Sequence, residues 1–325
     1  MVPLADSGRI FRIDFDGVYR NSEVWINGNY LGKRPYGYVP FSYELTKYLN
    51  YGKKNVIAVK VDNSHQPDSR YYTGSGIYRN VKMVSTRSFQ FIPQSIFITT
   101  PQIVIDRAEF NALARIRLGK NTNPDIIVEC EIIDPAGKPV GKFSSDNRLA
   151  KSPDEFSISA QLPDPKRWSV HQPNLYKARF KVYVAAILMD EEEISFGIRS
   201  IGFNSKGLFM LNEQPLFIKG VCMHHDLGAL GAAYNNEAAK RQLRILKEMG
   251  CNAIRVSHNP PAADFLDLCD QMGFIVMDEA FDTWNKKKNK FDYHLDFKEW
   301  HKADLEAMVL RDRNHPSVFM WSIGN

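Results

Sequence analysis

The sequence predicts a multidomain fold: two β-sandwiches followed by a parallel α/β segment. Over residues 9–86 apolar and polar residues alternate with period two. Strand-like runs continue from about 88 to 203. Beyond 204 strands that are apolar on both faces alternate with helical patterns. Alternation on one face marks antiparallel sheets, whereas doubly buried strands interleaved with helices mark a parallel sheet covered by helices. A chain of 325 residues has room for two or three such units.

In the first segment "RIFRIDFDGV" sets Phe11, Ile13 and Phe15 against Ile10, Arg12 and Asp14, and "SEVWINGNYLGK" separates Val24 and Ile26 from Glu23 and Trp25. Asn27-Gly28 between them is a hairpin signal, because both central positions of a type I′ turn need positive φ. The second segment carries "AEFNALARIRL", "DIIVECEIID" and "LYKARFKVYVAAILMD", with a turn at Asp134 to Lys138. Its length suits a sandwich of roughly one hundred residues.

The third segment reads as strand Pro215 to Met223; a helix with Ala238, Leu243, Leu246 and Met249 on its buried face and Gly250 at its C-cap; strand "CNAIRVS"; helix "PPAADFLDLCDQMG"; strand "FIVMDEA"; helix "DFKEWHKADLEAMVLRDR"; and strand Val318 to Ile323. Four such strands are half the number a TIM barrel needs. The first and fourth are expected to present apolar edges, and residues from about 204 onward to be the weak part of the chain, removable without loss of the two sandwiches.

An apolar fraction of 44% with 24% charged residues excludes a predominantly disordered chain. The formal net charge is only +5, and the densest basic run, "NKKKNK" (Asn285 to Lys290), reads as a solvated loop, so no nucleic-acid partner is expected. No apolar run approaches membrane-spanning length, so no membrane partner is expected either. Cys130, Cys222, Cys251 and Cys269 form no CxxC pair and read as free, buried thiols. The first residues lack the basic head and apolar middle of a signal peptide, and the sequence leaves the compartment open, periplasmic and secreted locations included.

Residues able to carry chemistry gather at the C-terminal ends of the parallel strands, which share one face in such folds. They are His224-His225-Asp226, Ser257-His258-Asn259, Asp278-Glu279 with Asp282 and Trp284, and Gly324-Asn325. A lining rich in His, Asp, Asn and Trp suits a sugar, whose hydroxyls need donors and acceptors and whose ring needs an aromatic face. Asp278 and Glu279, adjacent on one strand, point to opposite faces. They cannot be the facing carboxyl pair that glycoside hydrolysis requires. One is expected to pair with Arg255 and the other to cap neighbouring backbone. Asp282 has no evident partner.

The stretches "GVYRNSEVWINGNYLG", "GSGIYRNV", "WSVHQPNLY", "FGIRSIGF", "LNEQPLFIKGVCMHHD", "IRVSHNPPAADFLDLCDQMGFIVMDEAFDTW" and "DRNHPSVFMWSIGN" resemble, in order and from end to end, the signatures of glycoside hydrolase family two, closest to its bacterial β-galactosidases. The resemblance implies a jelly-roll sugar-binding domain over 1–87, an immunoglobulin-like sandwich over 88–203, and the first half of a TIM (β/α)8 barrel over 204–325. Strands ahead of "RIFRIDFDGVY" are usual in the family, so the jelly-roll reads as N-terminally clipped. The fourth barrel strand of the family ends W-S-x-G-N-E, and that Glu is the acid/base. Here it would come directly after Asn325, and the nucleophilic Glu later still. The resemblance therefore implies a retaining exo-glycosidase acting on terminal β-D-galactosides of oligosaccharides or polysaccharides, with neither catalytic Glu among residues 1–325, and a homo-oligomeric whole enzyme.

By the same resemblance His224 and His258 contact the sugar, Asn325 precedes the acid/base, and Trp284 stands where a platform would lie. The loop "PDSRYYTGSGIYR" reaches the barrel mouth. There relatives carry an acidic residue that touches substrate or an alkali ion; alignment on "SGIYR" puts Arg70 at that position, with Asp68 two residues earlier. Large bacterial β-galactosidases bind magnesium through a Glu and a His near "DEAFDTW". This chain has Asp282 and Trp284, so no metal site and no cofactor is carried over. The alternatives are a β-glucuronidase or β-mannosidase of the same family, and a non-catalytic carbohydrate-binding module confined to the jelly-roll.

Overall fold

The structure, a computed structural model, describes residues 1–69, 73–119, 125–145 and 152–325. In the first unit two three-stranded antiparallel sheets face each other. One orders Phe41–Glu44, Ile10–Phe15 and Val81–Thr86; the other orders Asn29–Arg34, Ser22–Ile26 and Ile57–Lys60. The two alternations seen in the sequence meet in the core, where Phe11, Ile13 and Phe15 pack with Val24, Ile26 and Leu45. Asn27 and Gly28 sit at φ 49° and 81° and close the hairpin as a type I′ turn. In the second unit Phe97–Thr99, Arg107–Arg117 and Glu155–Pro163 form one sheet. Pro139–Ser144, Ile126–Ile133, Tyr176–Val184 and Ile187–Phe196 form the other. Phe110, Ile116, Cys130, Ile132 and Phe180 are fully buried between them.

The third unit is a four-stranded parallel sheet in sequence order: Gly220–Met223, Ala253–Val256, Ile275–Glu279 and Val318–Ser322. Helices α1 (Asn236–Glu248), α2 (Ala263–Met272) and α3 (His294–Asp312) connect the strands. Helices α1 and α2 pack Ala239, Leu243, Leu266 and Cys269 on Ile254, Val256 and Val276. Two glycines end these helices as sequence predicts: Gly250 and Gly273 take φ of 84° and 71°.

Several expectations need correction. The first parallel strand is shorter than Pro215 to Met223. Asn212 and Glu213, at φ 52° and 62°, turn the chain so that Gln214–Pro215 pairs back on Phe209–Leu211. That hairpin packs Phe209 and Leu211 against Ala253 and Ile275 at the N-terminal end of the sheet. On α1 the buried positions are Ala239 and Leu243, and Met249 is 70% exposed, because the stripe leaves the sheet within the last turn. Cys130 and Cys269 are buried, but Cys222 is exposed and Cys251 half-buried. Cys222 lies on the sheet face opposite the helices, which the described residues leave open.

The α/β unit also packs against both sandwiches. Tyr36, Tyr38, Val39 and Tyr78 of the first sandwich are buried in one cluster with Ala280, Phe281, Tyr293 and Met308 of the α/β unit. Arg79 donates to the carbonyls of Tyr38 and Pro260 at 2.9 and 2.7 Å. From the second sandwich Trp168, fully buried, donates its indole N–H to the Asp270 carbonyl at 2.9 Å. Asn314 donates to the Ile96 carbonyl at 2.9 Å and accepts from the Ile98 N–H at 3.0 Å.

The same junction holds a titratable pair. His315 Nδ1 lies 2.6 Å from Asp270 Oδ2, and Asp270 Oδ1 accepts from the Ser317 N–H at 2.9 Å. Burial alone would push His315 down. Asp270, hydrogen-bonded to it, together with Asp312 and Asp267, outweighs burial and lifts it from 6.5 to about 9. A raised folded-state pKa stabilises fully below the unfolded value and is lost as pH rises through the folded one. Stability is therefore expected to fall between pH 6.5 and 9, by up to about 3 kcal/mol. Urea titrations at several pH values should show this slope in the wild type and a flat profile in His315→Gln.

Candidate functional site

The mouth of the site is built at the C-terminal ends of the parallel strands. Alternation along Ile275–Glu279 sends Asp278 outward to the helices and Glu279 inward. Outward, Asp278 is fully buried; burial first, and Asp312 beside it second, push its carboxyl well above the usual carboxylate range. It does not cap backbone, as expected from sequence, but joins a buried cluster with Asp312 and Arg311. Inward, Glu279 is the hub. Arg255 donates Nε and Nη2 to Oε2 at 2.9 and 2.7 Å and Nη2 to Oε1 at 2.9 Å. His258 Nδ1 lies 2.6 Å from Oε1, and the Ser322 hydroxyl donates to Oε2 at 2.7 Å. Second, third and fourth strands are thus tied through one carboxylate, and the pairing with Arg255 agrees with the sequence reading.

The hub orients the rest of the mouth. The exposed His224 lies edge-on to His258, with ring centroids 5.5 Å apart. Asn325 accepts from Arg255 Nη2 through Oδ1 at 3.3 Å and donates through Nδ2 to Asp282 Oδ1 at 3.3 Å. Asp282 has partners, contrary to expectation: besides Asn325 it meets Lys288 Nζ at 3.1 Å. Lys288 belongs to the basic run, which is a solvent-exposed loop as the sequence suggests, with its backbone pinned in place. Asp292 accepts the N–H groups of Lys288 and Asn289 at 2.8 and 2.6 Å. Burial would raise Asp292, but the N–H donors of Asn289, His294 and Lys288 hold it below its usual value.

Trp284 is 40% exposed beside Asn325 and donates its indole N–H to the Ile323 carbonyl at 3.0 Å. Gly324 makes this fit possible: it sits at φ 148°, and a Cβ there would come 2.2 Å from the Trp284 nitrogen. Asp68 is buried and spent: Arg20 Nη1 is 2.9 Å away, the Tyr19 hydroxyl donates to it, and it accepts the Ser69 N–H at 2.6 Å. It lines a small cavity together with Asn259, Asp282 and Tyr293, so its loop does reach the mouth. Arg70 lies outside the described residues.

Structure thus gathers His224, His258, Asn325, Trp284 and Asp282 at one mouth, with Asp68 one wall away. Sequence reasoning missed Tyr36 and Tyr38, which anchor that wall. Tyr36 donates to the Ala280 carbonyl at 2.5 Å and accepts from Asn259 at 2.7 Å. Tyr38 packs against His225, ring centroids 5.0 Å apart and planes tilted by 36°. The signal was Gly37 between two tyrosines: a Cβ there would strike the Tyr19 ring at 2.4 Å. Chemically the mouth offers hydrogen-bond groups around an aromatic face. Among its described residues each carboxylate is engaged: Glu279 by Arg255, Asp282 by Lys288, and Asp68 by Arg20.

Comparison with known proteins places these features. Models of glycosyl hydrolases family 2 match three stretches: the sugar binding domain over residues 4–87, the family model itself over 91–199, and the TIM barrel domain over 204–325. The β-galactosidase BoGH2A of Bacteroides ovatus is 50% identical across 100% of this chain, which covers 38% of that protein. A putative β-glucuronidase of Formosa agariphila is 42% identical over 96% of this chain and 30% of its own length. Among solved structures, a family 2 glycosyl hydrolase from Bacteroides cellulosilyticus superposes with a TM-score of 0.94 at 37% identity, covering 100% of this chain and 42% of that one. A β-glycosidase from Bacteroides vulgatus gives 0.93 at 40% identity, covering 100% and 41%. The chain therefore spans well under half the length of these relatives, and it belongs to glycoside hydrolase family 2, as a jelly-roll, an immunoglobulin-like sandwich and the first strands of a TIM barrel.

Proposed function

We propose that residues 1–325 form the sugar-recognising side of a retaining exo-β-galactosidase, with the jelly-roll (1–87) walling the mouth, the second sandwich (88–203) bracing it, and the barrel strands (204–325) presenting the contacts. The observation that carries this reading is the Glu279 hub, which holds His258 directly, and Asn325 through Arg255, at the mouth beside Trp284. Supporting it is the name β-galactosidase borne by the Bacteroides ovatus relative. A glucuronidase reading has support in the Formosa agariphila relative, but a sugar carboxylate needs a cation. Arg255, Lys288 and Arg20, cations described at this mouth, are paired with Glu279, Asp282 and Asp68. A neutral galactoside fits better.

Hydrolysis needs two facing carboxyls, one as acid/base and one as nucleophile. The carboxylates of this mouth are spent on ion pairs, so a polypeptide of residues 1–325 is expected not to hydrolyse nitrophenyl β-galactoside above background. It should bind galactose only at millimolar strength, about −4 kcal/mol. Calorimetry and saturation-transfer NMR check this: His258→Ala should abolish galactose binding, and glucuronate should bind more weakly than galactose. Turnover that survives repurification, or galactose binding indifferent to His258→Ala, would overturn the reading.

A further inference from the structure

The outward face of the sheet Asn29–Arg34, Ser22–Ile26 and Ile57–Lys60 is not needed for the core of the first sandwich. Inward, Val24, Ile26 and Val59 make that core. Outward, register places Glu23 opposite Lys33 and Lys60, and Trp25 opposite Tyr30 and Ala58. Directly paired residues share a face, so the two layers form one surface, roughly 7 Å apart along the strand. Trp25 and Tyr30 meet with ring centroids 5.3 Å apart, and Tyr30 is 51% exposed. The Glu23, Lys33 and Lys60 layer of this surface borders a groove of about 360 Å³, in the range of small-ligand sites, about 300–1,000 Å³.

Glu23, Lys33 and Lys60 line that groove with Asn63, His65 and Phe291. The rings of His65 and Phe291 lie 5.0 Å apart, tilted by 37°. One side of the groove is therefore the jelly-roll and the other the loop that precedes α3. Arg20 connects it to the mouth: its guanidinium lines both this groove and the cavity of Asp68 and Asp282. The charges are matched, Lys60 with Glu23 at 3.0 Å and Arg20 with Asp68 and Asp296 at 2.9 and 3.3 Å. A surface with balanced charge, amide and ammonium donors, and the paired rings of His65 and Phe291 suits a neutral, hydroxyl-rich chain rather than a polyanion.

We propose that this groove is an accessory subsite for a neutral oligosaccharide whose terminal sugar occupies the barrel mouth, so that the protein selects chains of several sugars over disaccharides. The proposal rests on the galactoside reading of the mouth, and the experiment separates the two. Galactose, lactose, β-1,4-galactotetraose and lacto-N-neotetraose are titrated into the 325-residue chain by saturation-transfer NMR and calorimetry. At least one tetraose is expected to bind tenfold or more tightly than lactose. The variants Lys33→Ala and His65→Ala, both at exposed positions lining the groove, should return it to the lactose level without changing galactose binding or the thermal midpoint. If both tetraoses bind no more tightly than lactose, or the variants leave the tetraose gain intact, the groove proposal falls while His258-dependent galactose binding keeps the mouth. If a tetraose binds through the groove variants' positions and galactose ignores His258→Ala, the mouth reading falls, and with it the groove's accessory role, leaving the groove as a sugar site of its own. Absence of binding by every probe overturns both.

Discussion

Arg311→Leu is expected to destabilise the chain by about 3–5 kcal/mol, a large share of its stability. Arg311 is buried at the end of α3, its side chain 6% exposed. It donates Nε and Nη2 to Asp312 at 2.6 and 2.8 Å, Nη1 to Asp16 of the first sandwich at 3.1 Å, and Nη2 to the Pro261 carbonyl at 2.8 Å. Burial would lower its pKa, but Asp312 and Asp16 raise it instead, so the cation is held firmly. Leucine would strand two buried or half-buried carboxylates beside Asp278, whose own carboxyl is already driven toward the neutral form. Removing one partner of a buried ion pair costs about 3–5 kcal/mol, against a total stability of about 5–15 kcal/mol for a typical protein. Urea unfolding followed by tryptophan fluorescence should show a loss of at least that size, and Arg311→Lys an intermediate one, since ammonium cannot reproduce the forked contact. A loss below about 1 kcal/mol for leucine would show that the cluster is not the joint between sandwich and sheet that its distances indicate.

Cutting the chain after residue 203 is the second large effect. Tyr36, Tyr38, Val39, Tyr78 and Trp168, each 9% exposed or less, would lose the surface that covers them. At about 1.5–3 kcal/mol for each large apolar side chain, the exposed seam forfeits on the order of 10 kcal/mol. Arg20 and Arg79 would also lose the carbonyls of Phe291 and Pro260 that they bond at 2.8 and 2.7 Å. The product is expected to aggregate or bind ANS strongly, read by size-exclusion chromatography and dye fluorescence. A monodisperse residue 1–203 product with cooperative unfolding would show instead that the sandwiches hold their own surfaces.

That second expectation reverses what periodicity alone suggests. Period-two patterns in "RIFRIDF" and "SEVWI" reveal which side chains enter a sandwich core, because the partner layer is local in sequence. The change of period beyond 204 reveals the parallel sheet for the same reason, and the positions that line the mouth follow from strand ends alone. Tyr36 and Tyr38 sit in an aperiodic loop; Tyr36's ring partners Phe281 and Tyr293 lie more than 240 residues away, and Tyr38's partner His225 lies more than 180 away. No local pattern can announce such a contact. Asp282 shows the limit at the site itself: its position at a strand end was legible, but its pairing with Lys288 depends on how a basic loop is pinned by Asp292. The turn at Asn212-Glu213 was hidden because its positive φ values fall on a pair that lacks the glycine that usually marks them.

The tyrosine seam also sets a timetable for synthesis. Tyr36, Tyr38 and Tyr78 leave the ribosome long before the rings of Phe281 and Tyr293 that cover them. At about 5–20 residues per second, the roughly 200 residues between Tyr78 and its cover take on the order of 10–40 s to appear. During that interval the jelly-roll can close its own core yet must carry an uncovered aromatic face, a ready target for holdase chaperones and for neighbouring nascent chains on the same messenger.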